Sequence, residues 1–275
     1  MKSLIVSTDY SDPAQNAVEY AAALAQYINA KLILFHAFHL PVPTTGVPFL
    51  FPDIDEIINE NNQRLEVLCK ELTKNYSISV KCISRPAFVV DELSELVKQY
   101  NAELVILGMR GASMDYKLFG SITTAVIKES NYPVLVVPQN ATFHKIDKIL
   151  FASDYRCLAE SNKLEVLAGM AKDFSAKIQI LHVEKPEMVP TVELNEPAHN
   201  SVHLDELFEG VVHEYRYLED EDVVKGIDRG VKEFKADILA MVPHDHGFWG
   251  SLLNKSITRR MAYKSQVPLL SIPNC

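Results

Sequence analysis

The sequence predicts an α/β fold built as two doubly wound, five-stranded parallel-sheet units in tandem. Apolar, β-branched runs alternate with segments of helical period, the pattern of successive βα units. The landmarks of the first half then recur, in the same order, in the second.

Within the first half, strands are expected near residues 3–8, 31–37, 78–84, 104–108 and 134–137. Helices are expected between them, near 13–29, 54–75, 90–100 and 121–131. The opening run from Ser3 to Ser7 is short and apolar, as suits a strand covered on both faces. Ser11 and Asp12 suit the cap of the helix that follows, and Pro13 suits its first turn. Ala17, Val18, Ala21, Leu24, Ala25 and Ile28 make one apolar face of that helix. Right-handed crossovers between such units give a parallel sheet whose ligands bind beyond the carboxyl ends of the strands, where strand order reverses.

The repeat is read from four landmarks. Leu4 to Tyr10 is echoed by Ile149 to Tyr155, and Ala30 to His36 by Ala176 to His182. Ala102 to Leu107 is echoed by Ala236 to Met241, and Ser121-Ile122-Thr123 through Pro133 by Ser256-Ile257-Thr258 through Pro268. The offset falls from about 145 to about 135 residues between the second and third landmarks, so the second copy has lost length there. Two domains follow, 1–140 and 144–275, with the boundary near Pro138 to His144. Units of equal size predict a pseudo-twofold pair whose terminal strands, near 134–137 and 269–272, meet their counterparts, within one chain or in a homo-oligomer.

Composition narrows the function classes. A net charge of -9 with scattered Lys and Arg argues against charge-driven binding to nucleic acid or an anionic membrane. The most apolar stretches, such as 31–38, are far shorter than the roughly 20 residues of a membrane-spanning helix. Met1 leads straight into an expected strand with no cleavage site after it, so a cytoplasmic location is expected. Cys69, Cys82, Cys157 and Cys275 show no CxxC or other metal spacing, and reduced thiols are expected.

The chemistry concentrates after the fourth strand. Gly108-Met109-Arg110-Gly111 closes that strand, and Gly120-Ser121-Ile122-Thr123-Thr124 opens the next helix. Glycines let a phosphate approach the backbone, and the free N–H groups at a helix start favour negative charge. Arg110 is placed to neutralise a phosphate, and Ser121 and Thr123 to donate hydroxyls. Neither the Walker P-loop nor the G-x-G-x-x-G fingerprint occurs. Asp9, at the end of the first strand, faces the same crevice, either to receive a base or ribose group or to hydrogen-bond locally.

Taken together, Ser7-Thr8-Asp9, Gly108-x-x-Gly111, Gly120-Ser121 and the strand from Pro133 to Val137 resemble the universal stress protein family, here in a tandem, Rossmann-like arrangement. Its ATP-binding members carry a G-x2-G-x9-G-[ST] motif. The resemblance implies phosphate and ribose contacts at Gly108, Arg110, Gly111, Gly120, Ser121, Ile122 and Thr123. It implies adenine near Asp9 and Ala37, with Ser7, Thr8, Leu107 and Met109 alongside, and ATP as cofactor, with or without Mg²⁺. The loop Ala112 to Phe119 has eight residues where the family pattern has nine.

The second half has lost this pattern. Val242, Asp245 and Lys255 stand near the positions of Gly108, Gly111 and Gly120, and only Asp154 survives of the nucleotide set. A Cβ at Val242 and a carboxylate at Asp245 oppose the same binding mode. His244 and His246 are weak metal candidates, because alternate residues of an extended segment point apart, and no metal site is assigned. Pro41 to Pro52 reads as a lid or as a plain connection.

The expected function is a stress-response protein that binds ATP in the first domain as a signalling ligand, with a structural or partner-binding second domain. No catalytic residue is assigned. Slow ATP hydrolysis or phosphotransfer, and a nucleotide-free interaction scaffold, remain as alternatives.

Overall fold

The computed structural model describes residues 2–40, 53–109, 121–153, 164–184, 204–243 and 257–273. The first half runs β1 (Ser3–Ser7), α1 (Asp12–Tyr27), β2 (Lys31–Phe38), α2 (Ile54–Tyr76), β3 (Val80–Pro86), α3 (Val89–Tyr100), β4 (Leu104–Met109), α4 (Ser121–Glu129) and β5 (Val134–Pro138). The second runs β6 (Lys148–Ala152), α5 (Glu165–Phe174), β7 (Lys177–Glu184), β8 (His213–Glu219), α6 (Val223–Phe234), β9 (Ile238–Met241), α7 (Ile257–Lys264) and β10 (Leu269–Ser271). Each strand and helix expected in the first half is present, with ends displaced by a few residues. Helix α1 stops early because Ile28 caps it and Asn29 turns into the left-handed region at φ 52°, which Asn tolerates.

The ten strands of the described residues join one sheet, in the order β3-β2-β1-β4-β5-β10-β9-β6-β7-β8. Pairing is parallel within each half. The halves meet through β5 and β10, which run antiparallel with Leu135 opposite Leu270, so the terminal strands pair inside a single chain. In both halves the strand order reverses beside the first strand, between β1 and β4 and between β6 and β9.

Side-chain parity divides the core. Leu4, Val6, Leu104, Ile106 and Leu135 point to the α1 and α2 side, and Ile5, Phe35, Val105, Leu107 and Val136 to the α3 and α4 side. Because both faces are covered, the central strands are apolar throughout; the edge strands β3 and β8 carry Lys81, Arg85, Glu214 and Arg216, which discourages pairing with another chain. Across the halves, the Tyr27 ring stacks on Phe174 at 4.6 Å, and Lys2 forms an ion pair with Asp173. Among the described residues no helix is long and apolar enough to cross a membrane.

One expectation is overturned. Cys69 on α2 and Cys82 on β3 are joined as a disulfide, with Cα atoms 6.3 Å apart, where reduced thiols were expected. The pairing arises because α2 returns directly into β3 and lies against it, a juxtaposition that cysteine spacing does not encode. Excess dithiol is expected to lower the stability of the first half by about 3 kcal/mol, since the bridge closes a loop with a sequence separation of 13. A urea midpoint unmoved by reduction, in protein shown by thiol alkylation to start oxidised, would remove this staple from the account.

Candidate functional site

Strand β1 ends in a tightly tied turn. The Tyr10 N–H donates to Thr8 Oγ1 at 3.0 Å, and both the N–H and the hydroxyl of Ser11 donate to Asp9 Oδ1, at 3.0 and 2.5 Å. The hydroxyl of Ser11 is therefore not spent on capping α1, although Ser11 occupies the cap position. Asp9 is exposed and has one carboxylate oxygen engaged locally, which is the hydrogen-bonding alternative left open by its spacing. Tyr10 sits at φ 61°, and among the described residues the other non-glycine positive φ angles all follow helices. Strain of this kind is held in place by its surroundings and collects at functional turns.

The surroundings of Tyr10 come from β2 and α2. Its ring lies 4.5 Å from that of His36, and the Arg64 guanidinium sits over it, 3.8 Å from the ring centroid. Burial raises the Tyr10 phenol pKa, and the Arg64 charge opposes that rise. His36 is buried, and its Nδ1 lies 2.8 Å from the Thr8 carbonyl oxygen, which can only accept, so Nδ1 carries a proton. Its Nε2 is 3.1 Å from Asn61 Oδ1, while Asn61 Nδ2 donates to the Ile57 carbonyl at 2.8 Å. The second half repeats the strand-end bond: His182 Nδ1 donates to the Ser153 carbonyl at 2.9 Å. Sequence reasoning assigned His36 no role, although its recurrence as His182 at matching places was the available signal.

At β4 the structure gives Gly108 a packing role. It shares the parity of Leu104 and Ile106 and so faces α1. A Cβ placed there would lie 2.2 Å from the Pro13 carbonyl oxygen and 2.9 Å from the Ala14 nitrogen. The close approach at Gly108 is made by the first turn of α1. In the second half Val242 packs against apolar core at the matching position. Leu107 and Met109 are buried toward the opposite side, so backbone atoms are what they can offer a ligand.

Helix α4 begins at Ser121 and is tied to this strand end. The Thr123 hydroxyl is buried and donates to the Gly108 carbonyl at 3.1 Å, and the Ile122 side chain is exposed. Thr123 thus fixes the helix start beside β4, and the N–H groups of the first turn have no partner within the helix. Ser7 and Ala37 share the parity of Ile5 and Phe35, and Ala37 packs against the α3-side core beyond the end of β1. Ser7, Thr8, Asp9, Ala37, Gly108 and Thr123 are thereby gathered at the carboxyl ends of β1, β2 and β4, where the strand order reverses. An anion fits at the α4 start by donor chemistry, through N–H groups that lack an acceptor within the helix and through its positive end.

Arg110, Gly111 and Gly120 lie outside the described residues, as do Asp154, His244, Asp245, His246 and Lys255 and the segment from Pro41 to Pro52.

Comparison with known proteins agrees with the fold. A family model described as the universal stress protein family matches residues 1–138. The universal stress protein Slr1230 of Synechocystis sp. is 25% identical over 299 residues, covering 98% of this chain and 99% of its own. Universal stress protein MJ0577 of Methanocaldococcus jannaschii is 28% identical over 156 residues, covering 50% of this chain and 94% of its own. The fold is shared with the crystal structure of a universal stress protein from Archaeoglobus fulgidus, with a TM-score of 0.73 at 20% identity and 98% of both chains covered. With residues 1–138 matched by the family model and the same strand order repeated in the second half, the chain belongs to the universal stress protein family.

Proposed function

We propose that this stress-family protein binds an adenine nucleotide, ATP, beyond the carboxyl ends of β1 and β4, and that the ligand acts as a signal. The observation that carries the reading is the anchoring of the α4 start to Gly108 by Thr123, which holds at the point of strand reversal the N–H groups that the helix itself leaves without acceptors. Phosphates would lie on that helix start and on the loop from Arg110 to Gly120, with the base toward Asp9 and Ala37. Leu107 and Met109 take part through their backbone. The turn at Asp9, Tyr10 and Ser11, already tied by three hydrogen bonds, offers a wall that need not reorganise when the ligand arrives.

The units proposed are 1–140, carrying the nucleotide, and 144–275, a structural or partner-binding copy. Asp245 and Lys255, which stand where the first half has Gly111 and Gly120, support that division. A cytoplasmic location is proposed with it, and there the Cys69 and Cys82 pair would meet a reducing environment.

Mass spectrometry of small molecules released from purified full-length protein tests the ligand class. Retained or readily rebound adenine nucleotide is the expected result. Protein that comes empty and gives no heat with ATP would replace this reading with a nucleotide-free scaffold.

A further inference from the structure

We propose a second ligand site in the crevice between the two halves, at the amino ends of β1, β4 and β5, for a small arylalkyl amine in its cationic form. The crevice encloses about 450 Å³, within the usual range of small-molecule pockets. Its first wall is Leu4, Leu24 and Leu104, all buried, and its second is the face of α5 that carries Gly169, Met170 and Phe174. Lys2, Glu103 and Pro133, which immediately precede β1, β4 and β5, place it at the opposite end of these strands from the proposed nucleotide region.

The repeat explains both the space and its occupant. Beyond β5 the chain turns back, held by Asn16 Nδ2, which donates to the Pro138 and Ala141 carbonyls at 2.9 Å each. This return places the Phe143 ring against Tyr20, Tyr27 and Phe174, with centroids at 5.3, 6.1 and 6.3 Å. Matching Ala30 with Ala176 pairs Tyr20 with Val166, Tyr27 with Asp173, and Ile28 with Phe174. The three counterparts, Val166, Asp173 and Ile28, all line the crevice. The crevice is therefore the pseudo-twofold image of the place that Phe143 fills, and among the described residues no ring takes that place.

Charge sets the polarity of the occupant. Glu103, Glu165 and Asp173 stand at the lining against one cation, Lys2. Lys2 is already paired with Asp173 and lies 3.9 Å from Glu103, whereas Glu165 is exposed and makes no ion pair among the described residues. On the filled side, the ring of Phe143 is followed two residues later by a cation, Lys145. An aromatic ring carrying an ammonium group reproduces that pair, and an anion meets net repulsion. Gly169 keeps the way open: a Cβ there would meet no atom within 4 Å, and glycine weakens a helix interior that no contact obliges it to occupy.

The test is calorimetric titration of 3-phenylpropylamine into the full-length chain, with 3-phenylpropanoate as the anionic control. The amine is expected to bind at one site per chain, at least tenfold more tightly than the carboxylate and without competition from ATP. Gly169→Leu, which fills the space with a good helix former, is expected to weaken the amine at least tenfold. Glu165→Lys, an exposed charge reversal that leaves the core untouched, is expected to weaken it at least fivefold at low salt. Absence of amine binding, equal affinity for the carboxylate, displacement by ATP, or unchanged affinity in either folded variant would overturn the proposal.

Discussion

Gly108→Val is expected to cost the first half about 3 kcal/mol or more of stability, before any effect on a ligand is read. The substitution copies the residue at the matching position of the second half, Val242. In the first half the new Cβ would meet the Pro13 carbonyl oxygen at 2.2 Å and its carbonyl carbon at 2.5 Å. Both are backbone atoms, so no rotamer change relieves the overlap; β4 or α1 must move, and α1 is held by Asn16 to the end of β5. Urea denaturation of Gly108→Ala and Gly108→Val checks this, and a Gly108→Ala stability within about 0.5 kcal/mol of the parent would sink it. A loss of nucleotide binding in either variant would by itself say little about phosphate contacts.

Phe174→Ala has the other large expected effect, about 3–5 kcal/mol, the usual cost of emptying a buried phenylalanine site. Phe174 is 2% exposed and its ring is nearly parallel to that of Tyr27, at 7°. It belongs to the second half, yet its partners Tyr27 and Phe143 belong to the first half and the connecting segment. The variant is thus expected to weaken the joint between halves as well as α5, and to split one unfolding transition into two. A single transition with a shift under about 1 kcal/mol would show that the halves are held together without this ring stack.

Much of the architecture was legible before the structure. Alternating runs located the first-half strands because parallel strands, covered on both faces, must be apolar throughout, and the echo of Leu4 to Tyr10 in Ile149 to Tyr155 revealed the second sheet half. The meeting of β5 with β10 followed from equal units. Other features depend on tertiary approach, which a linear pattern does not carry. Gly108 read as a phosphate glycine, but its missing side chain is demanded by Pro13, a residue about 95 positions earlier. Ser11 read as a helix cap, yet its hydroxyl turns to Asp9. Cys69 and Cys82 become neighbours only when α2 lies along β3. His36 was passed over because a lone histidine at a strand end has no motif, and its bond to the Thr8 carbonyl needs β1 and β2 side by side.

The missing side chain of Gly108 is explained by Pro13 without a phosphate, and the helix start fixed by Thr123 is the structural support for the proposed phosphate site. The most direct measurement is therefore calorimetric titration of ATP into the full-length chain and into Gly120→Lys, which introduces the second half's residue. One site per chain in the parent, weakened at least tenfold in a variant whose urea midpoint is unchanged, is the predicted result. Equal ATP affinity in the two proteins would contradict the phosphate site at the α4 start.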